Sequence, residues 1–278
     1  MQTRPVVRTT RGIQTSDGAG VRLRRLMGGG GAVPSIDPFL MMDYFDTANA
    51  GDYIAGFPAH PHRGFETVTY MLDGRIRHRD NHGGEGVIEP GGVQWMTAGR
   101  GVVHSEMPEQ TAGLMRGFQL WVNLPARLKM TDPAYQEHGA EHMPVEERAG
   151  GARVKVIAGE TSLGTRGPIS AEATQPIYFD VELAEGGEFI EAVPSDRAAF
   201  VVVHNGRLEV DGRTIDAVGL AELGAGDTVV LRASGGPARA LLIAGKPLNE
   251  PVAWHGPFVM NTYAELVQAV EDYQAGRF

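Results

Sequence analysis

Short apolar runs, each closed by turn residues, recur along the whole chain, and this rhythm constrains the fold more than any other feature. TVTYML (67–72), VQWMTA (93–98) and GFQLWVNL (117–124) come first. RVKVIAG (153–159), IYFDVEL (177–183), AAFVVVH (198–204), TVVLRA (228–233) and ARALLIAG (238–245) follow. Runs of this length, rich in β-branched and aromatic residues and bounded by Gly, Pro, Asn or Asp, read as strands. Asn205-Gly206 lies between two such runs and predicts a hairpin, because a type I′ turn needs positive φ at both central positions. Glycine supplies 38 of the 278 residues, about twice the usual ~7%, as many tight turns require. The expectation is an all-β fold of sandwich or barrel type.

Two segments break the rhythm. Residues 126–151 are polar, contain two prolines and show no alternation, which places a domain boundary there and divides the chain into 1–135 and 136–278. Near the other end, NTYAELVQAVEDYQAG reads as an amphipathic helix. Thr262 and Glu265 have capping-box spacing, Leu266, Val267, Val270 and Tyr273 share a face, and Gly276 can stop it. A weak internal repeat links the two halves. YMLDGRIRH (70–78) parallels VVHNGRLEV (202–210), and EPGGVQWM (89–96) parallels GAGDTVVL (224–231). Two similar β-barrels in tandem would produce such a repeat.

Composition excludes several classes of function. The chain has no cysteine, so disulfides, thiolate ligands and a cysteine nucleophile are ruled out. A net charge of -9 speaks against direct nucleic-acid binding, which needs clustered Lys and Arg. No apolar run approaches a membrane span and the first residues form no signal sequence, so the cytoplasm is the expected location. Nothing indicates an oligomer, and a monomer is the default.

Among only nine histidines, His60 and His62 stand at i and i+2 just ahead of a strand-like run. In an extended segment they share a face; taken alone, they could also be two polar residues of a solvated turn. His104 and Glu106 repeat the spacing beside another strand-like run. Two same-face pairs on neighbouring strands would bring three imidazoles and one carboxylate to one point, a donor set suited to a divalent first-row metal. Carrying over the displacement of each repeat pair, 132 for the first and 135 for the second, maps these four positions near Ala192, Pro194, Arg239 and Leu241 in the second copy, none of them a ligand. His78 and His82 read as exposed hairpin residues. His138 and His142 lie in the connecting segment, His204 precedes a turn, and His255 reads as structural.

DPFLMMDYF (37–45), FPAHPHRGFETVTYMLDG (57–74), QWMTAGRGVVHSEMP (94–108), FQLWVNLP (118–125) and HGPFVMNT (255–262) together resemble the pirin family, bicupin proteins of the cupin superfamily. The resemblance implies two tandem cupin barrels. The first would hold the metal through His60, His62, His104 and Glu106, and the second would lack it. Many cupins take their carboxylate four residues after H-x-H, here Glu66. The pirin pattern takes it from Glu106, which leaves Glu66 as a partner of a ligand or as the alternative carboxylate.

The family likeness further implies a quercetin 2,3-dioxygenase that cleaves a flavonol with dioxygen and releases carbon monoxide, with Glu106 as both ligand and general base. Fe(2+) is the expected metal, with Ni, Co, Mn, Cu or Zn as other occupants of such a site. The same likeness carries a second expectation, an iron-binding regulatory protein that acts through a protein partner as a transcriptional or metabolic co-regulator.

Overall fold

The computed structural model describes residues 2–29 and 34–278. All eight runs read as strands from the sequence are strands. They form two barrels, each a seven-stranded sheet with a four-stranded sheet packed against it. In the first, Phe65–Asp73 lies between Val93–Thr97 and Met115–Asn123. Its smaller sheet runs Phe57–His62, Val102–Pro108, Ile76–Asp80, Glu85–Ile88. In the second, Ala198–Asn205 lies between Gly219–Leu223 and Ala238–Gly245. The smaller sheet there runs Glu188–Ala192, Thr228–Ala233, Arg207–Val210, Arg213–Asp216. The two strand orders match position for position, so the repeat visible in the sequence is a repeat of architecture.

Asn205-Gly206 is not a hairpin. The strand before it pairs within the large sheet and the strand after it within the small one, so the chain turns a corner between sheets. Gly206 takes φ +69°, and a Cβ there would lie 2.3 Å from the Pro237 carbonyl oxygen. Only glycine fits. Gly74 turns the same corner in the first barrel at φ +79°.

The chain divides into one unit of residues 13–35, 39–140 and 248–278 and another of 1–12, 36–38 and 141–247. This differs from a single cut at 135/136 at both ends of the chain. Val6–Thr10 pairs with Gly219–Leu223, and Val6 is buried in the second barrel's core. The helix, Tyr263–Gln274, belongs to the first unit, capped as expected by Thr262 and Glu265. It packs Leu266 and Ala269 against Phe258 and Met260, while Val267 stays exposed, so its buried face is narrower than the spacing predicted. The segment 126–151 is not all loop. It carries Ala134–His138 and Val145–Arg148, each an edge strand, and edge strands tolerate the polar composition that hid them. Among the described residues no helix is long and apolar enough to cross a membrane.

Candidate metal centre

Phe57–His62 and Val102–Pro108 are antiparallel neighbours with His104 directly opposite His60. Cross-strand partners share a face, as do i and i+2, so His60, His62 and His104 converge. One nitrogen from each lies within 4.8 Å of the other two, and His60 Nε2 is 3.0 Å from His62 Nε2. Pro61, whose missing N–H costs an interior strand a bond, sits on the edge strand of this sheet.

The electrostatics suit a cation. Burial drives the His62 imidazolium pKa well below its usual value, with the nearby His104 and His60 adding to the fall. Burial likewise lowers His104 to about 4. Both rings are therefore neutral at pH 7, the state in which imidazole donates to a metal. Both ring nitrogens of His104 are buried without a hydrogen-bond partner, an arrangement that is costly unless something fills the gap. A metal ion fits: it would take the lone pairs that now face one another.

Glu106 is buried in the same barrel interior but lies outside the trio. Its oxygens accept hydrogen bonds from Thr69 Oγ1 at 3.1 Å and Gln119 Nε2 at 2.9 Å. The pairing slips between His104 and Glu106, so that Glu106 faces Phe57, and this slip carries the carboxylate toward the large sheet.

Glu66 departs from expectation. Along one unbroken strand position 66 would share the face of His60 and His62, but the strand ends at His62, Gly64 takes φ +87°, and the alternation restarts at Phe65. Thr67 and Thr69 now face the histidines. Glu66 points to the other side and accepts from its cross-strand partner Thr97 at 2.7 Å. Burial raises its carboxyl pKa. It is engaged by Thr97, and like Glu106 it lies outside the converging trio. His78 also departs from expectation, since it is only 4% exposed and lies 2.6 Å from Glu137 Oε2. His78 is the cross-strand partner of Glu106, so it faces the same interior.

A cavity of about 870 Å³ opens on the histidines, lined by His60, His62, Gln119, Trp121, Trp254 and Arg25 among others. Trp121 meets His62 edge-on at 5.1 Å and is tilted 32° to Trp254 at 5.8 Å. Arg25 is held by Asp43 and Asp17. Thr69 and Gln119 escaped the sequence reading; the only sign of them was a polar residue interrupting each buried apolar strand.

Residues 20–122 match the Pirin family and residues 178–278 the Pirin C-terminal cupin domain. A pirin-like protein of Caulobacter vibrioides is 58% identical over 278 residues, all of both chains. The chain belongs to the pirin family. Pirin of Rattus norvegicus is 42% identical over 94% of this chain and 89% of its own. A crystal structure titled quercetin 2,3-dioxygenase, from Acinetobacter baumannii, superposes with a TM-score of 0.91. It is 34% identical over 99% of this chain and 98% of that one.

Against that family background, the two barrels of this pirin can be compared position by position. Setting Gly74 on Gly206 makes Val210 the counterpart of His78. Val210 pairs with Leu231 as His78 pairs with Glu106. Two residues back, Val229 takes the place of His104, and it pairs with Glu191 as His104 pairs with His60. The counterparts of His60, His62, His104 and Glu106 are thus Glu191, Val193, Val229 and Leu231. They replace Ala192, Pro194, Arg239 and Leu241, which the displacements of the two repeat pairs select, because the loops between strands differ in length.

Proposed function

We propose that the first barrel binds one divalent first-row metal ion through His60, His62 and His104, with Glu106 as its carboxylate. We further propose that this centre cleaves a flavonol with dioxygen, releasing carbon monoxide. The observation that carries the reading is the convergence of three imidazoles, two of which, His60 and His62, line a large cavity together with Trp121 and Trp254. The likeness to the Acinetobacter baumannii dioxygenase supports the choice of substrate.

The ion, when bound, supplies Lewis acidity that favours an ionised hydroxyl on the substrate. The chain does the rest. Trp121 and Trp254 give the planar rings an apolar, aromatic wall. Glu106 accepts the proton of the flavonol 3-hydroxyl as general base. Thr69 and Gln119 fix the direction of its lone pairs by donating to its two oxygens. Both atoms of dioxygen end in the ring-opened ester, and the carbon between the two cleaved bonds leaves as carbon monoxide, so no further reductant is needed.

The test is metal analysis of protein purified without added metal, then loss of flavonol absorbance and carbon monoxide release for each metal under air. Turnover proportional to metal content is expected. Absence of turnover with every metal would overturn the enzymatic reading and leave the metal-binding regulator. Glu106→Gln is expected to keep its metal and lose about 10²–10⁴ in turnover. Undiminished ring cleavage in that variant would remove Glu106 from the mechanism.

A further inference from the structure

Each histidine-bearing strand is gripped from behind by the same stretch of chain. Arg63 follows His62 directly and is 3% exposed. Its Nε donates to the Arg100 carbonyl, its Nη1 donates to Asp272 Oδ2 at 2.7 Å, and its guanidinium lies 4.3 Å from the centre of the Phe278 ring. Asp272 is in the helix Tyr263–Gln274. Its other oxygen accepts from Gln268 at 2.8 Å and from Arg277 Nε at 2.9 Å, so the carboxylate is fixed from several sides. Arg63, followed by Arg277, holds this carboxyl at a pKa of about 2.

The second strand is held through Phe278. Arg100 and Gly101 form the turn that leads into Val102–Pro108. Gly101 has φ +143°, and a Cβ there would lie 2.7 Å from the Phe278 ring. Asn81 Nδ2 donates to the Phe278 carbonyl at 2.8 Å, while Asn81 Oδ1 accepts from the Val103 N–H at 2.9 Å, one residue before His104. On the first strand, Val259 N–H donates to the Arg63 carbonyl at 3.0 Å. Lys129 Nζ, also buried, donates to the carbonyls of Gly64 and Val259 and to Asn123 Oδ1 at 2.7–2.9 Å.

We propose that the segment 258–278 is a clamp that sets the separation of the two histidine-bearing strands, with Arg63 and Asp272 as positioning residues for metal binding. None of these groups is among the three residues whose nitrogens converge. Their effect is geometric. Metal–nitrogen distances tolerate only about ±0.2 Å, and a buried arginine that bridges the two strands and the helix removes the freedom that would blur them. The inference rests on the metal reading above.

The full-length protein, stripped with chelator, is titrated with Co²⁺ while its visible bands are recorded. Wild type is expected to bind one ion. Asp272→Asn and Arg63→Lys are expected to weaken binding by about 10–100-fold, the range for losing a residue that supports a metal ligand, and to shift the bands. The circular dichroism of the stripped protein should not change. Leu231→Ala, in the core of the other barrel, is the control. It should lower the melting temperature and leave Co²⁺ affinity alone. Wild-type affinity and spectrum in Asp272→Asn would overturn the clamp and leave the metal site standing. So would an equal loss of affinity in Leu231→Ala, which would make the effect general destabilisation. A wild-type protein that binds no Co²⁺ would overturn both readings.

Discussion

The first barrel lines its interior with His60, His62, Thr69, His78, Gln94, His104, Glu106 and Gln119. The second, with the same strand order, sets Glu191, Val193, Val201, Val210, Ala221, Val229, Leu231 and Leu242 at those places. All but Glu191 belong to one apolar cluster. The backbone plan is therefore indifferent to what fills it. Burying polar groups costs free energy unless each finds a partner, so the second barrel is filled for stability and the first gives stability up. The one polar survivor is instructive. Glu191, at the place of His60, is fully covered and neutralised by Arg148, with Ser162 N–H on its other oxygen at 2.7 Å. Where the first barrel presents a lone pair to its cavity, the second answers a charge with a charge.

The sharpest way to break this contrast is His104→Val, which writes the second barrel's residue into the first. The change removes one of the three converging imidazoles and leaves two, beside a carboxylate that is already engaged by Thr69 and Gln119. Metal content should fall from about one ion per chain to near zero, and with it the metal-dependent stabilisation, about 4 kcal/mol at a thousandfold excess over Kd, read as the rise in melting temperature. Metal retained at wild-type level would mean that the trio does not hold it.

The complementary change is Arg148→Ala. It leaves Glu191 buried beside Glu146 without its cation, and stability should drop by about 3–5 kcal/mol, read from denaturant midpoints. Metal content and Co²⁺ spectrum should stay as they were. If the metal is lost as well, the two barrels do not have separate roles.

Much of this contrast was legible in the sequence and part of it was not. Seven strands of the large sheets announced themselves because they are mostly apolar and flanked by turn residues, and His60, His62 and His104 because i, i+2 spacing on an extended chain needs no knowledge of the fold. Glu66 misled because parity counts only within one unbroken strand, and the left-handed glycine at 64 resets it. His78 misleads because a polar hairpin ordinarily faces solvent, whereas its cross-strand partner here is the buried Glu106. The Asn205-Gly206 corner misled because a glycine required by one close carbonyl looks, in sequence, like a glycine required by a turn. Val6–Thr10 crosses to the far barrel, and the helix Tyr263–Gln274 returns to the near one. Long-range pairing of this kind leaves no local trace.

Thr69→Val makes the smallest change and separates binding from chemistry. Valine is the residue at the matching place, 201, and it is nearly isosteric with threonine. The trio is untouched, so metal affinity should hold. One of the two donors that aim the Glu106 carboxylate is gone, worth about 0.5–1.5 kcal/mol net, so flavonol turnover should fall roughly twofold to tenfold with the metal still in place. Gln119→Leu, again the second barrel's residue, should act in the same direction. Because both donors act on one carboxylate, the double variant should lose more than the product of the two single losses. A double variant that merely multiplies them would mean that Thr69 and Gln119 act independently, and that Glu106 is not the group they share.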